Sequence, residues 1–122
     1  VNTRDVLAKY YEYANAGDWD RWCDLFAERM VMDEQLAGRV EGRAQLRTMM
    51  RGFDGMYAEF RNTPQRMLVE GAEGVVVSRI TATTASGDSI EADVMNYFRV
   101  EDGLIAYMSN VHDTVPFQVL AS

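Results

Sequence analysis

The sequence predicts an α+β domain in which a curved mixed/antiparallel sheet wraps round N-terminal helices to form a cone with one apolar pocket. Three observations carry this. Apolar residues recur at helical spacing through about residue 53, and from about Phe60 the pattern alternates with the period of a strand. Helices followed by a run of strands is the α+β order. The two most regular strand candidates, in 90–113, each place polar residues on an otherwise apolar face.

Thr3 to Ala14 forms the first predicted helix, with Val6, Tyr10 and Tyr13 beside Leu7, Tyr11 and Ala14. Asn15-Ala16-Gly17 ends it, Gly17 being suited to the left-handed position after a helix. Asp18 is the expected cap of a second helix whose stripe is Trp19, Trp22, Cys23 and Phe26. Cys23 within that stripe reads as a buried hydrophobe. Met30 to Leu36 is expected as a strand, with Met30, Met32, Glu34 and Leu36 on one face and Val31, Asp33 and Gln35 on the other. Residues 37–42 read as a turn-rich connection. A third helix starts at Arg43, with Leu46, Met49, Met50 and Phe53 inward and Arg43, Arg47 and Arg51 on a solvated side. Gly52 and Gly55 loosen its end, and Met56, Tyr57 and Phe60 are expected over a pocket mouth.

Pro64 marks a break or an edge in the strand expected from Arg61 to Glu70. Val75 to Thr84 is a β-branched strand. The stretch 90–113 is a hairpin about the turn Glu101-Asp102-Gly103. Its expected inward faces are Ile90, Ala92, Val94, Asn96, Phe98 and Val100, then Leu104, Ala106, Met108, Asn110 and His112. The tail from Thr114 carries Pro116 and Phe117, expected over the sheet or in a dimer contact.

With 122 residues, no repeat and no linker, the chain reads as one domain, 1–122, large enough for a core. A net charge of −7 argues against nucleic-acid and anionic-membrane surfaces, which need a basic footprint. No apolar run has transmembrane length and the first residues lack a signal-peptide core, so a cytoplasmic location is expected. One cysteine and one histidine, His112, make neither a disulfide nor a multi-histidine metal site. Phosphate loops, HExxH and GxSxG are absent from the sequence, so neither a cofactor nor a metal is expected.

The isolated polar groups on apolar faces are Tyr10, Glu34, Asn96 and His112, with Asp33, Arg79 and Asn110 behind them. A carboxylate in a dry pocket has its pKa raised toward the range useful for proton transfer. A phenol or amide opposite it can donate to a developing oxyanion. Period two puts Glu34, not Asp33, with the apolar residues of its strand, which makes Glu34 the expected base or polar anchor. His112 is expected to point into the cavity, its imidazolium disfavoured unless Glu34 or Asp33 pairs with it.

The segment KYYEYANAGDWDRWCDLFAERMVMDE resembles the start of ketosteroid isomerases and of SnoaL-like polyketide cyclases, members of the nuclear transport factor 2-like superfamily. MNYFRVEDGLIAYMSNVHD is similar to the paired C-terminal strands of that group. The resemblance implies a cystatin-like α+β barrel. It matches Tyr10 to the isomerase's oxyanion-hole tyrosine, Glu34 to its general-base aspartate and Asn96 to its protonated aspartic acid. In ketosteroid isomerases that tyrosine and that neutral aspartic acid donate together to one oxyanion. Glu for Asp and Asn for a neutral carboxylic acid depart from the pattern, and His112 stands where isomerases carry an apolar residue. The Asp-Arg-Asp set of limonene-epoxide hydrolases is not matched, since Thr81 follows Arg79 at that spacing.

The expected function is cofactor-free acid–base catalysis, of isomerase, cyclase or dehydratase type, on an apolar ring-containing small molecule such as a steroid- or polyketide-like compound. Tyr10, Glu34, Asn96 and His112 are the catalytic candidates. Asp33, Trp22, Met32, Phe53, Met56, Phe98, Met108 and Asn110 are the ligand-binding ones. The alternatives are a non-catalytic binding domain of the same fold and a dimerising interaction module. A homodimer through the outer sheet face is expected, because Met95 and Tyr97, or Ile105 and Tyr107, would otherwise be bare.

Overall fold

The computed structural model describes residues 2–121. Helix α1 (Thr3–Ala16) starts at Asn2, whose side chain accepts from the Asp5 amide, and stops at Gly17, left-handed with φ 70°. Asp18 then caps α2 (Trp19–Asp24) by accepting from the Arg21 amide. The second helix is shorter than its stripe predicted: Phe26 begins strand β1 (Phe26–Glu34). Leu36 falls in the turn beyond that strand and is exposed, so it is not part of the strand's inward face. The stretch 37–42, expected as connection, contains β2 (Gly38–Glu41), which pairs antiparallel with β1.

Helix α3 (Arg43–Phe53) buries Leu46 and Met50. Its arginines are not simply solvated. Arg43 donates to the Phe26 carbonyl at 3.1 Å, and Arg47 ties α3 to Asp20 and Asp24 of α2. Strand β3 (Tyr57–Glu70) opens four residues before the expected start and lies at one edge of the sheet, where Pro64 is tolerated beside a bulge. Strands β4 (Glu73–Thr84), β5 (Ser89–Glu101) and β6 (Leu104–His112) complete a six-stranded sheet ordered β2-β1-β6-β5-β4-β3. Every pairing is antiparallel except that of β1 with β6.

Along β5 the expected inward residues Ile90 to Val100 are all buried. Along β6 the alternation slips. Arg99 faces Tyr107 but Val100 faces Ile105, so Ala106 is an extra residue, a β-bulge. Ile105 therefore turns inward and is fully buried, while Leu104 and Ala106 do not share the inward face of Met108, Asn110 and His112. The expectation that Ile105 lies bare on the outer face is corrected by the same bulge. The 3-10 helix η1 (Val115–Ala121) follows the sheet and buries Phe117 against His112, ring centroids 4.8 Å apart.

Helix α1 packs across β3, β4 and β5. Close approach there depends on Gly74, since a Cβ at that position would lie 2.5 Å from the tip of the fully buried Leu7 and 3.3 Å from the Leu68 carbonyl. Gly74→Ala should therefore cost about 1–3 kcal/mol through overpacking. The check is chemical denaturation of Gly74→Ala, Leu7→Ala and the double variant. The double variant should lose less than the two single losses added together.

Candidate active site

Between the helices and the concave face of the sheet lies a cavity of about 480 Å³. This is within the span of small-molecule sites, roughly 300–1,000 Å³. Its walls are mainly aromatic and aliphatic. Trp19, Phe53, Tyr57 and Phe60 form one side, with neighbouring ring centroids 4.8–6.0 Å apart. Tyr10, Trp22, Met32 and Met50 lie deeper, and Ile80, Phe117 and Leu120 close another side. Leu36 and Met56, both exposed, stand at the rim.

Two charged side chains line this apolar space, Glu34 from β1 and His112 from β6. Parallel pairing sets Glu34 beside Asn110, two residues from His112. His112 Nε2 lies 2.8 Å from Glu34 Oε1. The second carboxylate oxygen accepts from the Leu36 amide (2.8 Å) and the Ala37 amide (2.6 Å) of the following turn. On the other side of the imidazole, Nδ1 donates to the Asp113 carbonyl at 2.9 Å. A carbonyl only accepts, so Nδ1 carries a proton, and Nε2 facing a carboxylate requires a second. The geometry is that of an imidazolium–carboxylate pair sharing the proton between Nε2 and Oε1.

The surroundings of the two groups act in the same sense. Burial pushes the Glu34 carboxyl up, as expected from sequence, but the bonds from His112, Ala37 and Leu36 outweigh it and hold the group below its ordinary 4.5. The bond to Glu34 raises His112 above its ordinary 6.5 against the opposing effect of burial. Tyr10 and Tyr57 also line the cavity. Burial pushes both phenols up, helped at Tyr10 by Tyr11 and then Glu34 and at Tyr57 by Glu34, so they remain protonated donors near neutral pH.

The catalytic candidates thus divide. Glu34, His112 and Tyr10 line one cavity; Asn96 does not. Asn96 is fully buried and its Nδ2 donates to the Tyr11 hydroxyl at 3.0 Å, beneath α1. Of the ligand-binding candidates, Trp22, Met32, Phe53, Met56 and Asn110 line the cavity. Phe98 and Met108 are fully buried behind it, where Phe98 meets the Tyr10 ring at 5.0 Å. Asp33 faces away from it, bound by Arg39 at 2.9 and 3.0 Å and by the Tyr107 hydroxyl at 2.6 Å. Arg79 is likewise no part of the lining and pairs with Asp93 at 2.8 Å and Glu91 at 3.5 Å. Sequence reasoning passed over Asn62, although it alternates with Phe60 on a strand and shares its face. Among the described residues no group of three His, Cys, Asp or Glu is placed to hold a metal ion, and no helix is long and apolar enough to cross a membrane.

The family model of the SnoaL-like domain matches residues 7–108. The chain belongs to the SnoaL-like domain family. No curated protein matches it. An NTF2-like protein of unknown function from Burkholderia pseudomallei superposes on this SnoaL-like domain with a TM-score of 0.89 at 20% identity, covering 98% of this chain and 97% of its own. TerC, co-crystallised with polyporic acid, gives 0.85 at 17% identity over 98% of each chain. IdmH from Streptomyces antibioticus, described as a candidate polyketide cyclase, gives 0.81 at 20% identity over 98% of this chain and 97% of its own. At these identities the likeness establishes the cone fold.

The pair in the SnoaL-like domain makes stability depend on pH in a definite sense. A raised His112 pKa contributes fully below about 6.5 and fades as pH rises through the folded value. A lowered Glu34 pKa contributes above about 4.5 and is lost as pH falls through the folded value. The difference in melting temperature between the parent and His112→Gln should be largest between these limits and shrink on both sides. A difference unchanged from pH 4 to 9 would show that the pair is not ionised.

Proposed function

We propose that this domain binds a ring-containing, largely apolar small molecule in its cavity and moves a proton on it without a cofactor, as an isomerase or cyclase-type catalyst. The observation that carries this reading is the Glu34–His112 ion pair on the wall of an otherwise apolar cavity. In such surroundings a fixed pair acts with little screening by water. The imidazolium is the acid once a substrate oxygen takes the place of Glu34 Oε1 as acceptor of its Nε2 proton. Glu34 is less a free base than the residue that keeps His112 charged and aimed, and after transfer the neutral imidazole is a base for the return step. Tyr10 and Tyr57 supply hydroxyl donors to an enolate or phenolate oxygen as charge develops there.

Support from relatives is of two kinds. The family is SnoaL-like, and solved structures of the same fold include proteins described as candidate polyketide cyclases and a candidate ketosteroid isomerase. One of them, TerC, was crystallised with polyporic acid. The test is solvent-deuterium exchange into the α-position of a bicyclic ketone such as 2-tetralone, followed by NMR. Glu34→Gln and His112→Gln should each slow exchange by about 10²-fold or more. Asp33→Asn should stay close to the parent, because Asp33 faces away from the cavity. Exchange at the buffer rate, with the ketone bound, would favour a non-catalytic binding domain.

We also infer a homodimer through the outer sheet face. Val77, Met95 and Val111 are register partners across β4, β5 and β6, and Leu68, Val75 and Tyr97 form the next row. Leu68, Met95 and Val111 are each at least half exposed in the monomer, an apolar strip of the kind that partners cover. Light scattering should give twice the chain mass at micromolar concentration. Met95→Lys should shift it to the monomer.

A further inference from the structure

Two side-chain amides on the cavity wall lack partners. Asn62 is 4% exposed, and its Oδ1 is fully enclosed with no hydrogen bond; the same holds for the Oδ1 of Asn110. Turning an amide over exchanges donor for acceptor and leaves one of them unmet either way. Buried polar atoms are ordinarily satisfied, so these two orphans, like the indole Nε1 of Trp22 in the same lining, call for a partner.

Their placement is informative. Asn110 is the register partner of Glu34, so its amide belongs to the ion-pair end of the site. Asn62 lies on β3, and in the strand order β6, β5 and β4 separate β3 from β1. With β4 and β5 between its strand and that of His112, Asn62 lies on a different part of the cavity wall from the pair. It is also firmly held: the Asn15 side chain donates to the Asn62 carbonyl at 2.9 Å and accepts from its amide at 2.7 Å. This reciprocal clamp fixes the β3 backbone to the end of α1 and leaves the Asn62 side chain free to meet a ligand.

We propose that Asn62 is a specificity-determining residue, held by Asn15 as a positioning residue, and that the ligand is bipolar. One oxygen function meets the Glu34–His112–Asn110 end, an apolar ring body fills the middle, and a hydroxyl at the far end bonds the Asn62 amide. A hydroxyl is the group of choice because it both donates and accepts, and so satisfies either orientation of the amide. This rests on the reading that the cavity binds a ring-containing ligand, and names the polarity pattern of that ligand. Purely hydrocarbon ends would leave Asn62 unpaired and be selected against.

The test uses a matched pair of probes, 4-hydroxybiphenyl and 4,4′-dihydroxybiphenyl, which differ only in the far hydroxyl. Binding is read by calorimetry and by quenching of Trp19 and Trp22, which line the cavity. The parent should bind the diol about tenfold tighter than the mono-ol, the effect of one satisfied buried hydrogen bond. Asn62→Leu, checked for folding by its melting temperature, should bring that ratio to about one. Equal affinities of the parent for both probes overturn the proposal and leave the cavity reading intact. That measurement needs no variant to fold. Failure of both probes to bind overturns the proposal together with the reading beneath it.

Discussion

Parallel pairing of β1 with β6 is the constraint from which the rest follows. It joins a strand in the first third of the chain to the last strand, and it is the pairing that sets Glu34 beside Asn110 and within reach of His112. Without it β5 and β6 would continue only the antiparallel run from β3, and Glu34 would have no imidazole. Parallel neighbours need a long crossover, supplied here by β2, α3 and the antiparallel strands. The helices carried in that connection and before it cover the concave face. The long path that closes the sheet thus also walls the cavity.

Electrostatics within the wall separates two kinds of polar group. Glu34 has three donors and His112 two partners, so both remain ionised although the space before them is apolar. Removing either would leave a buried charge unpaired, which costs far more than the pair itself contributes. Phe117 covers the imidazole from the other side, keeping water from screening the bond. Asn96 lies one layer further in, where its Nδ2 donates to the Tyr11 hydroxyl and its Oδ1 has no partner among the described residues. The dyad thus meets the cost of polar burial more fully than the amide behind it.

Much of this was legible in the residues, and what was not has specific physical causes. Gly17 and Asp18 punctuate the helices through backbone chemistry that a short window reveals. Glu34 and Asp33 are separated by parity alone, and the strand obeys parity. Parity gives a face, however, and not a depth. Asn96, Phe98 and Met108 share the inward face of the sheet but lie where helix and sheet meet without a gap, so they are core and not lining. The bulge at Ala106 is a one-residue excess visible only against the partner strand. Strand β2 has four residues, too few for a period, and a glycine at its start reads as a turn. Asn62 alternates with Phe60 across the expected start of its strand at Arg61, so a strand begun there leaves Phe60 outside and hides the shared face.

A core selected only for stability would not have this cavity. Filling it with aliphatic side chains would add favourable packing and remove the orphaned amides, each of which costs about 1–3 kcal/mol when unmet. The walls keep their shape empty because the rings hold one another edge to face, Tyr10 on Phe98 and Trp19 on Phe53 at 5.0 and 4.8 Å. The dyad is formed before any ligand arrives, so its charges are already in place on the cavity wall. The Oδ1 atoms of Asn62 and Asn110 have no partner among the described residues. On the proposed function, rate and recognition are drawn from different groups: the ionised pair acts on the transition state, and the unsatisfied amides hold the ring in register with it.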